Sequence, residues 1–201
     1  MLHDQVALDD LGVLRIRGTD ALTFLQGQLS NDLGRLEREG SLLAGLHNPQ
    51  GRTLAVLRLL RTEAHDVLAV LPRELAPSVA QRLGRYVLRS KVQISDESAA
   101  WRVLGVARGA GTVVERRIIA TPHGADETLG GDGEQARSNA VARREWRLLD
   151  IAAGLPQVYA STSEQFVAQM LNLDLIDAIS FSKGCYTGQE VIARAYYRGR
   201  I

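Results

Sequence analysis

The stretch that most constrains the fold of this chain is a hairpin. Asn48-Pro49-Gln50-Gly51 is a run of the residue types that reverse a backbone. Proline presets φ, glycine supplies a positive one, and asparagine bonds its own backbone. Apolar runs flank it, Leu42–Leu46 and Thr53–Leu60, and both read as strands. The neighbouring segments extend the pattern. Val13–Arg17 alternates as a strand, and a helix follows on Leu22, Leu25 and Leu29, with Phe24 beside them and Thr19 or Asp20 as N-cap. Gln26, Gln28, Asn31 and Asp32 read as its surface and C-terminal turn. Val67–Leu71 is a strand. Pro72 and Glu74 then open a helix whose Leu75, Val79, Leu83 and Val87 recur at spacing four, and Lys91–Ile94 returns as a strand. The order β-α-β-β-β-α-β predicts an α+β unit over residues 1–98 with a mostly antiparallel sheet.

A second α+β unit is expected over residues 99–201, packed closely on the first. Trp101–Ala107 and Thr112–Ile119 read as strands. Residues 122–135 are rich in Gly and Asp and read as a mobile loop. Ala140–Ile151 is a helix with Trp146 and Leu149 on one face, ended by Ala153-Gly154-Leu155-Pro156. Val167, Met170 and Leu171 suggest a further helical turn or two.

Composition excludes several classes of function. The chain has 24 basic and 23 acidic residues, so no global field favours nucleic acid or an anionic membrane. No apolar run reaches the roughly 18 residues of a membrane span. A secretory leader is not visible at Met1-Leu2-His3-Asp4-Gln5. One cysteine, Cys185, allows no internal disulfide, which suits a reducing cytoplasm. His3, His47, His65 and His123 are scattered without metal-ligand spacing, so no metal site is expected.

The chemistry concentrates in Ser182-Lys183-Gly184-Cys185-Tyr186-Thr187-Gly188-Gln189-Glu190. An apolar lead, Ala178-Ile179-Ser180-Phe181, precedes it, and a helical pattern with Val191, Ile192 and Ala195 follows. Thr187 three residues before Glu190 fits a capping box at that helix start. Gly184 and Gly188 fit positive φ or close backbone approach. The alternative is a small-molecule site, because N–H groups at a helix start attract anions. Cys185 is read either as a thiolate favoured by Lys183 and that helix start or as a small buried hydrophobe.

These nine residues resemble the signature of the YgfZ family of folate-binding proteins. That family is related to the glycine-cleavage T-protein, an aminomethyltransferase, and includes assembly factors for 4Fe–4S proteins. Gly18-Thr19-Asp20-Ala21, Phe24-Leu25-Gln26-Gly27-Gln28, Asn48-Pro49-Gln50-Gly51-Arg52, Tyr86-Val87-Leu88-Arg89-Ser90-Lys91-Val92 and Ala153-Gly154-Leu155-Pro156 resemble further segments of the family. The resemblance runs from about Leu8 to Ile201 and is weak from Arg108 to Arg143. It implies ferredoxin-like β-α-β units with mixed and antiparallel sheets around a central folate-type cavity, usually followed by a β-barrel. The sequence stops eleven residues after Glu190, so that barrel is expected to be absent.

The resemblance also implies site residues. Trp146 stands where the family stacks an aromatic ring on folate, and a core tryptophan is the alternative. Lys183, Gly184, Tyr186, Gly188, Gln189, Glu190 and Arg194 are the other implied folate contacts, with tetrahydrofolate as cofactor. Cys185 is the candidate functional thiol: a transient cluster ligand, a redox-sensitive group or a structural pin. Three positions depart from the pattern. Leu11 replaces a second tryptophan. Ala55 and Val56 stand where the transferases carry an acid. Ala152 replaces a glutamate, with Asp150 two positions away. These departures argue against aminomethyl transfer, since no acid or base remains at positions 55–56 for amine chemistry. The expected function is a cytoplasmic, monomeric, folate-binding accessory protein acting on iron–sulfur enzymes or their assembly factors, including enzymes that modify tRNA, without touching nucleic acid or membrane itself. The alternatives are an interaction scaffold with a degenerate folate site and, with less support, a folate-dependent aminomethyltransferase. A thiol enzyme without folate would need a general base for Cys185, and His47 is the histidine a fold would have to bring near it.

Overall fold

The structure is a computed structural model, and it describes residues 4–110, 113–123 and 140–199. The element order is β1 (Asp4–Ala7), β2 (Leu11–Arg17), α1 (Ala21–Gln28), α2 (Leu36–Glu39), β3 (Ser41–His47), β4 (Thr53–Glu63) and β5 (Asp66–Pro72). Then come α3 (Ala76–Gly84), β6 (Gln93–Asp96), β7 (Trp101–Ala110), β8 (Val113–Pro122), α4 (Ala140–Ala152) and α5 (Gln189–Arg198). Short 3-10 turns precede α2 and α3, and another covers Ala168–Leu171.

The expected hairpin is β3–β4, and it sits at one edge of a five-stranded antiparallel sheet of order β3-β4-β5-β2-β6. If β3 is set aside, the remaining order has the arrangement of a ferredoxin-like β-α-β-β-α-β unit. The second sheet is β1-β7-β8, also antiparallel. The α+β class and the antiparallel sheets therefore agree with the sequence pattern.

β5 explains why the two sheets stack. Every residue from Asp66 to Pro72 is buried, the mark of a strand covered on both faces. Successive side chains point to opposite faces. Val67, Ala69 and Leu71 join the main core under α1 and α3, beside Leu14, Ile16, Leu25, Val79 and Leu83. Leu68 and Val70 join a smaller core with Leu11, Val13, Val103 and Trp146. The chain crosses between the halves twice. β1 pairs with β7, Asp4 opposite Ala107, and Val158, Ala168, Leu173, Tyr186 and Ile192 all pack into the main core.

Several local expectations need correction. α3 stops at Gly84, and Val87 lies beyond it in a turn, because the chain reverses through Arg85 and Tyr86. The returning strand is Gln93–Asp96 rather than Lys91–Ile94, set by pairing with β2. Asp20 does take the N-cap position of α1, but its carboxylate makes no cap bond and instead accepts the backbone N–H of Lys91 at 2.7 Å. Asn31 is not surface but fully buried. Its amide donates to the carbonyls of Leu43 and Asp177, both at 2.7 Å, which ties the end of α1 to β3 and to the signature's approach. Gln26 likewise turns inward, accepting from Leu33 N–H at 2.7 Å. Most of the 122–135 segment lies outside the described residues. Among the described residues no helix is long and apolar enough to cross a membrane.

Candidate functional site

The signature is a strap laid over the end of α1 and the tip of the β3–β4 hairpin. Ser30 fixes its approach. The Ser30 hydroxyl donates to Ala178 O at 2.7 Å and accepts from Gly45 N–H at 2.8 Å, and its carbonyl accepts from Ser180 N–H at 2.9 Å. Lys183 then turns inward and is buried. Its ammonium donates to the carbonyls of Gln26 at 2.5 Å and Leu29 at 2.6 Å. These are unpaired carbonyls at the C-terminal end of α1, where a cation is favoured. Burial lowers the Lys183 pKa to about 8, partly offset by Asp32, so at neutral pH it is still mostly an ammonium. The same ammonium lies 5.0 Å from the Tyr186 ring centroid, within cation–π range.

Tyr186 is buried, and burial pushes its hydroxyl up to about 12. Its ring centroid is 6.3 Å from that of His47. The fold therefore does bring His47 to the signature, but not as a base. His47 is fully buried with Nδ1 3.3 Å from the Thr53 hydroxyl, and burial drives its pKa down to about 3. A base that weak does not deprotonate a thiol at neutral pH. Among the described residues, the buried Nε2 of His47 and hydroxyl of Tyr186 have no hydrogen-bond partner.

The capping box does not form. The N-cap of α5 is Gly188, in the left-handed region at φ 82°, and no side chain caps the helix. Thr187 lies one position too early, because Gly188 has to sit on the hairpin tip. Glu190 faces forward and pairs with Arg194 at 2.6 Å on the exposed face of α5. Gly184 meets neither glycine requirement expected of it: a Cβ there would touch nothing within 4 Å, and its φ is not positive. Gln189 is the half-buried first residue of α5. Cys185 is exposed, not a buried hydrophobe. It stands between two inward-turned side chains, Lys183 and Tyr186, that fix the backbone on either side of it.

Trp146 is placed elsewhere. It projects from α4 into the smaller core and is 4% exposed. Its ring lies flat on the backbone of β7, so close that a Cβ added to Gly105 would fall 2.6 Å from it. The core alternative for Trp146 is the one the packing matches, since this ring faces protein on that side.

A cleft lies on the opposite face of the central sheet from α1 and α3. Leu11, Val56, Arg58, Asp150 and the Leu155–Gln157 segment contribute to its lining. It holds about 410 Å³ of empty space, open solvent included, of which about 30 Å³ is free to the centre of a water molecule. Val56 and Arg58 reach it because alternate residues of β4 share a face. Leu155 and Pro156 reach it because α4 ends at Ala152 and the chain turns through Gly154 at φ 66°. The cleft thus gathers two of the positions where the sequence departs from its resemblance, Leu11 and Val56, together with Asp150, while Ala55 and Ala152 are not in its lining. It contains no signature residue and not Trp146. Sequence reading did not single out Arg58. Its signal was a cation within the apolar run Leu54–Leu60, two residues from Val56.

No family model matches the chain. An uncharacterized protein of Haemophilus influenzae is 32% identical over 205 aligned residues, covering 96% of this chain and 69% of the relative. The crystal structure of glycine cleavage system aminomethyltransferase T from Bartonella henselae superposes with a TM-score of 0.75. That match has 16% identity and covers 98% of this chain and 64% of the enzyme's, so the chain spans under two thirds of the enzyme and the likeness is one of fold. With the fold of a glycine-cleavage T-protein and this level of identity to the Haemophilus influenzae protein, the chain belongs to the same family as that relative.

Proposed function

We propose that this chain is a folate-binding accessory protein that supports assembly or repair of iron–sulfur enzymes, among them enzymes that modify tRNA. The observation that carries the folate part is the convergence of Leu11, Val56, Asp150 and Leu155–Gln157 on one cleft. Ligand sites are mostly apolar with a few convergent polar groups. Leu11, Val56 and Leu155 offer apolar faces for a ring. The Asp150 carboxylate can accept from the N–H edge of a pterin, and the Arg58 guanidinium can donate to a carbonyl or carboxylate. Both side chains already have partners within the protein, so binding exchanges one partner for another. With so little free room, a bicyclic ring enters only if a wall of the cleft moves outward.

One-carbon transfer has the least support. Ala55 is fully buried and Val56 lines the cleft, and neither can take or give a proton at the reacting nitrogens. The narrowness of the cleft favours a second reading, an interaction scaffold whose folate site has closed. Calorimetric titration with tetrahydrofolate decides between them. Saturable binding that weakens roughly tenfold or more in Asp150→Ala is expected, since a hydrogen bond to a charged group is worth about 1.5–3 kcal/mol. Trp146→Ala is the poorer test because it empties the smaller core. No saturable binding at millimolar ligand rejects the folate reading.

The iron–sulfur part rests on the signature's resemblance and on the placement of Cys185, exposed between anchored neighbours. In this reading the protein works in the cytoplasm as a monomer, through a protein partner rather than through nucleic acid or a membrane. Cys185→Ala is expected to leave stability within about 0.5 kcal/mol, as exposed substitutions do, yet to abolish complementation of a strain lacking the family member. Full complementation by the folded variant counts against any role for the thiol.

A further inference from the structure

A second cleft opens beside α3, away from the one just described. Leu54 and Val79 form its apolar base, and Gln81, Arg82, Arg85 and Ser163 stand around it, with no carboxylate in the lining. It holds about 500 Å³ of empty space, of which about 170 Å³ is free to water, much more than the first cleft. From Ala76 to Ser95 the sequence carries four cations, Arg82, Arg85, Arg89 and Lys91, and no acid. Yet the chain as a whole is balanced in charge. Several arginines elsewhere are paired with carboxylates: Arg15 with Asp66, Arg35 with Asp177, Arg143 with Asp9 and Arg147 with Asp10. Arg82 and Arg85 have no ion-pair or hydrogen-bond partner for their side chains among the described residues.

We propose that this cleft is an oxyanion-binding site for a small organic phosphate or polycarboxylate. Positions three apart on a helix share a face with Cβ atoms roughly 5–6 Å apart. Two guanidinium forks at that spacing can grip one oxyanion between them, and the Gln81 amide adds a further donor. The hydroxyl of Ser163 already donates to Leu54 O at 2.8 Å. Its oxygen therefore remains an acceptor, which suits a ligand with O–H or N–H groups beside its anionic one. The simpler account is that Arg82 and Arg85 complement the C-terminal dipole of α3. That account requires neither the cleft nor the lack of acids around it. The inference is independent of the folate reading, because no residue is shared between the two clefts.

The test is calorimetric titration at low ionic strength with inorganic phosphate, ribose 5-phosphate and triglutamate. Wild type, Arg82→Gln, Arg85→Gln and Arg89→Gln are compared. At least one probe is expected to bind saturably, with affinity lower by about tenfold or more in Arg82→Gln and Arg85→Gln and unchanged in Arg89→Gln, which is outside the lining. Binding of the phosphates alone or of triglutamate alone supports the site and identifies the anion's source. Failure of all three probes on wild type overturns the proposal, as does equal binding to Arg82→Gln and wild type. The variants replace half-buried or exposed side chains with a residue of similar helix propensity, and matched thermal melts confirm that they are folded.

Discussion

Gly188→Ala is expected to destabilise the protein by about 3–5 kcal/mol, at the upper end for a single substitution. Two causes add. The residue holds φ at 82°, a conformation that costs a residue with a Cβ about 1–3 kcal/mol. The new Cβ would also fall 2.4 Å from Asn48 O and 3.2 Å from the His47 Cβ. Asn48 O cannot move aside easily, because it accepts from Gly51 N–H at 2.9 Å within the hairpin turn. The strap would have to lift from the hairpin, taking Ile192 and Tyr186 out of the main core. Urea unfolding measures the loss, and Gly184→Ala is the control. Gly184 has no positive φ and open space around it, so that variant is expected to stay within about 0.5 kcal/mol of wild type. Equal stability of the two variants would mean that the strap does not rest on the hairpin as described.

The contrast between these two glycines marks what the sequence could reveal. Its local grammar exposed both as turn residues. It could not say which one lies against a backbone 140 residues earlier. The same limit explains the other misses. Asn31 reads as surface because its partners, Leu43 O and Asp177 O, are remote in sequence. β1 has only four residues and gains its meaning from pairing with β7. The capping box satisfied every local rule and lost to the Gly188 contact with the hairpin tip. Where periodicity and burial coincide, the sequence was legible. Val79 and Leu83 reach the core from α3 and Leu75 from the 3-10 turn before it, and β5 reads as a continuous apolar run because it is covered on both faces.

The candidate sites were legible in pieces. Leu11, Val56 and Asp150 each stood out singly, and only the fold brings them to one cleft. Of the signature residues that looked like ligand contacts, Lys183, Tyr186 and Gly188 serve as internal fastenings, whereas Glu190 is exposed. Lys183 holds α1 and Gly188 holds the hairpin, while Glu190 pairs with Arg194 on the surface of α5. The signature and the cleft are thus two separate surfaces of one frame.

The second large effect concerns acid. His47 is neutral in the fold because burial drives its pKa to about 3, whereas in the unfolded chain a histidine titrates near 6.5. Below about pH 6.5 the unfolded chain therefore binds a proton that the folded one refuses. Stability is complete above that value and falls as pH drops towards 3. At about 1.4 kcal/mol per pH unit, the expected loss from this group is roughly 2 kcal/mol by pH 5 and about 4–5 kcal/mol when the window is crossed. Asp177, held low by its hydrogen bonds from Arg35, loses its stabilising charge at lower pH still. The cause is geometric as well as electrostatic. His47 lies beneath Gly188 and beside Tyr186, and among the described residues its Nε2 has no partner, so an added proton there meets no carboxylate among them. Urea midpoints at pH 7 and pH 5, for wild type and His47→Leu, isolate the effect, since every other titrating group cancels in the comparison. The variant is expected to lose most of the wild type's decline between those two values. An equal decline in both proteins would place the acid sensitivity elsewhere, and His47 would then have to gain a partner or water on protonation.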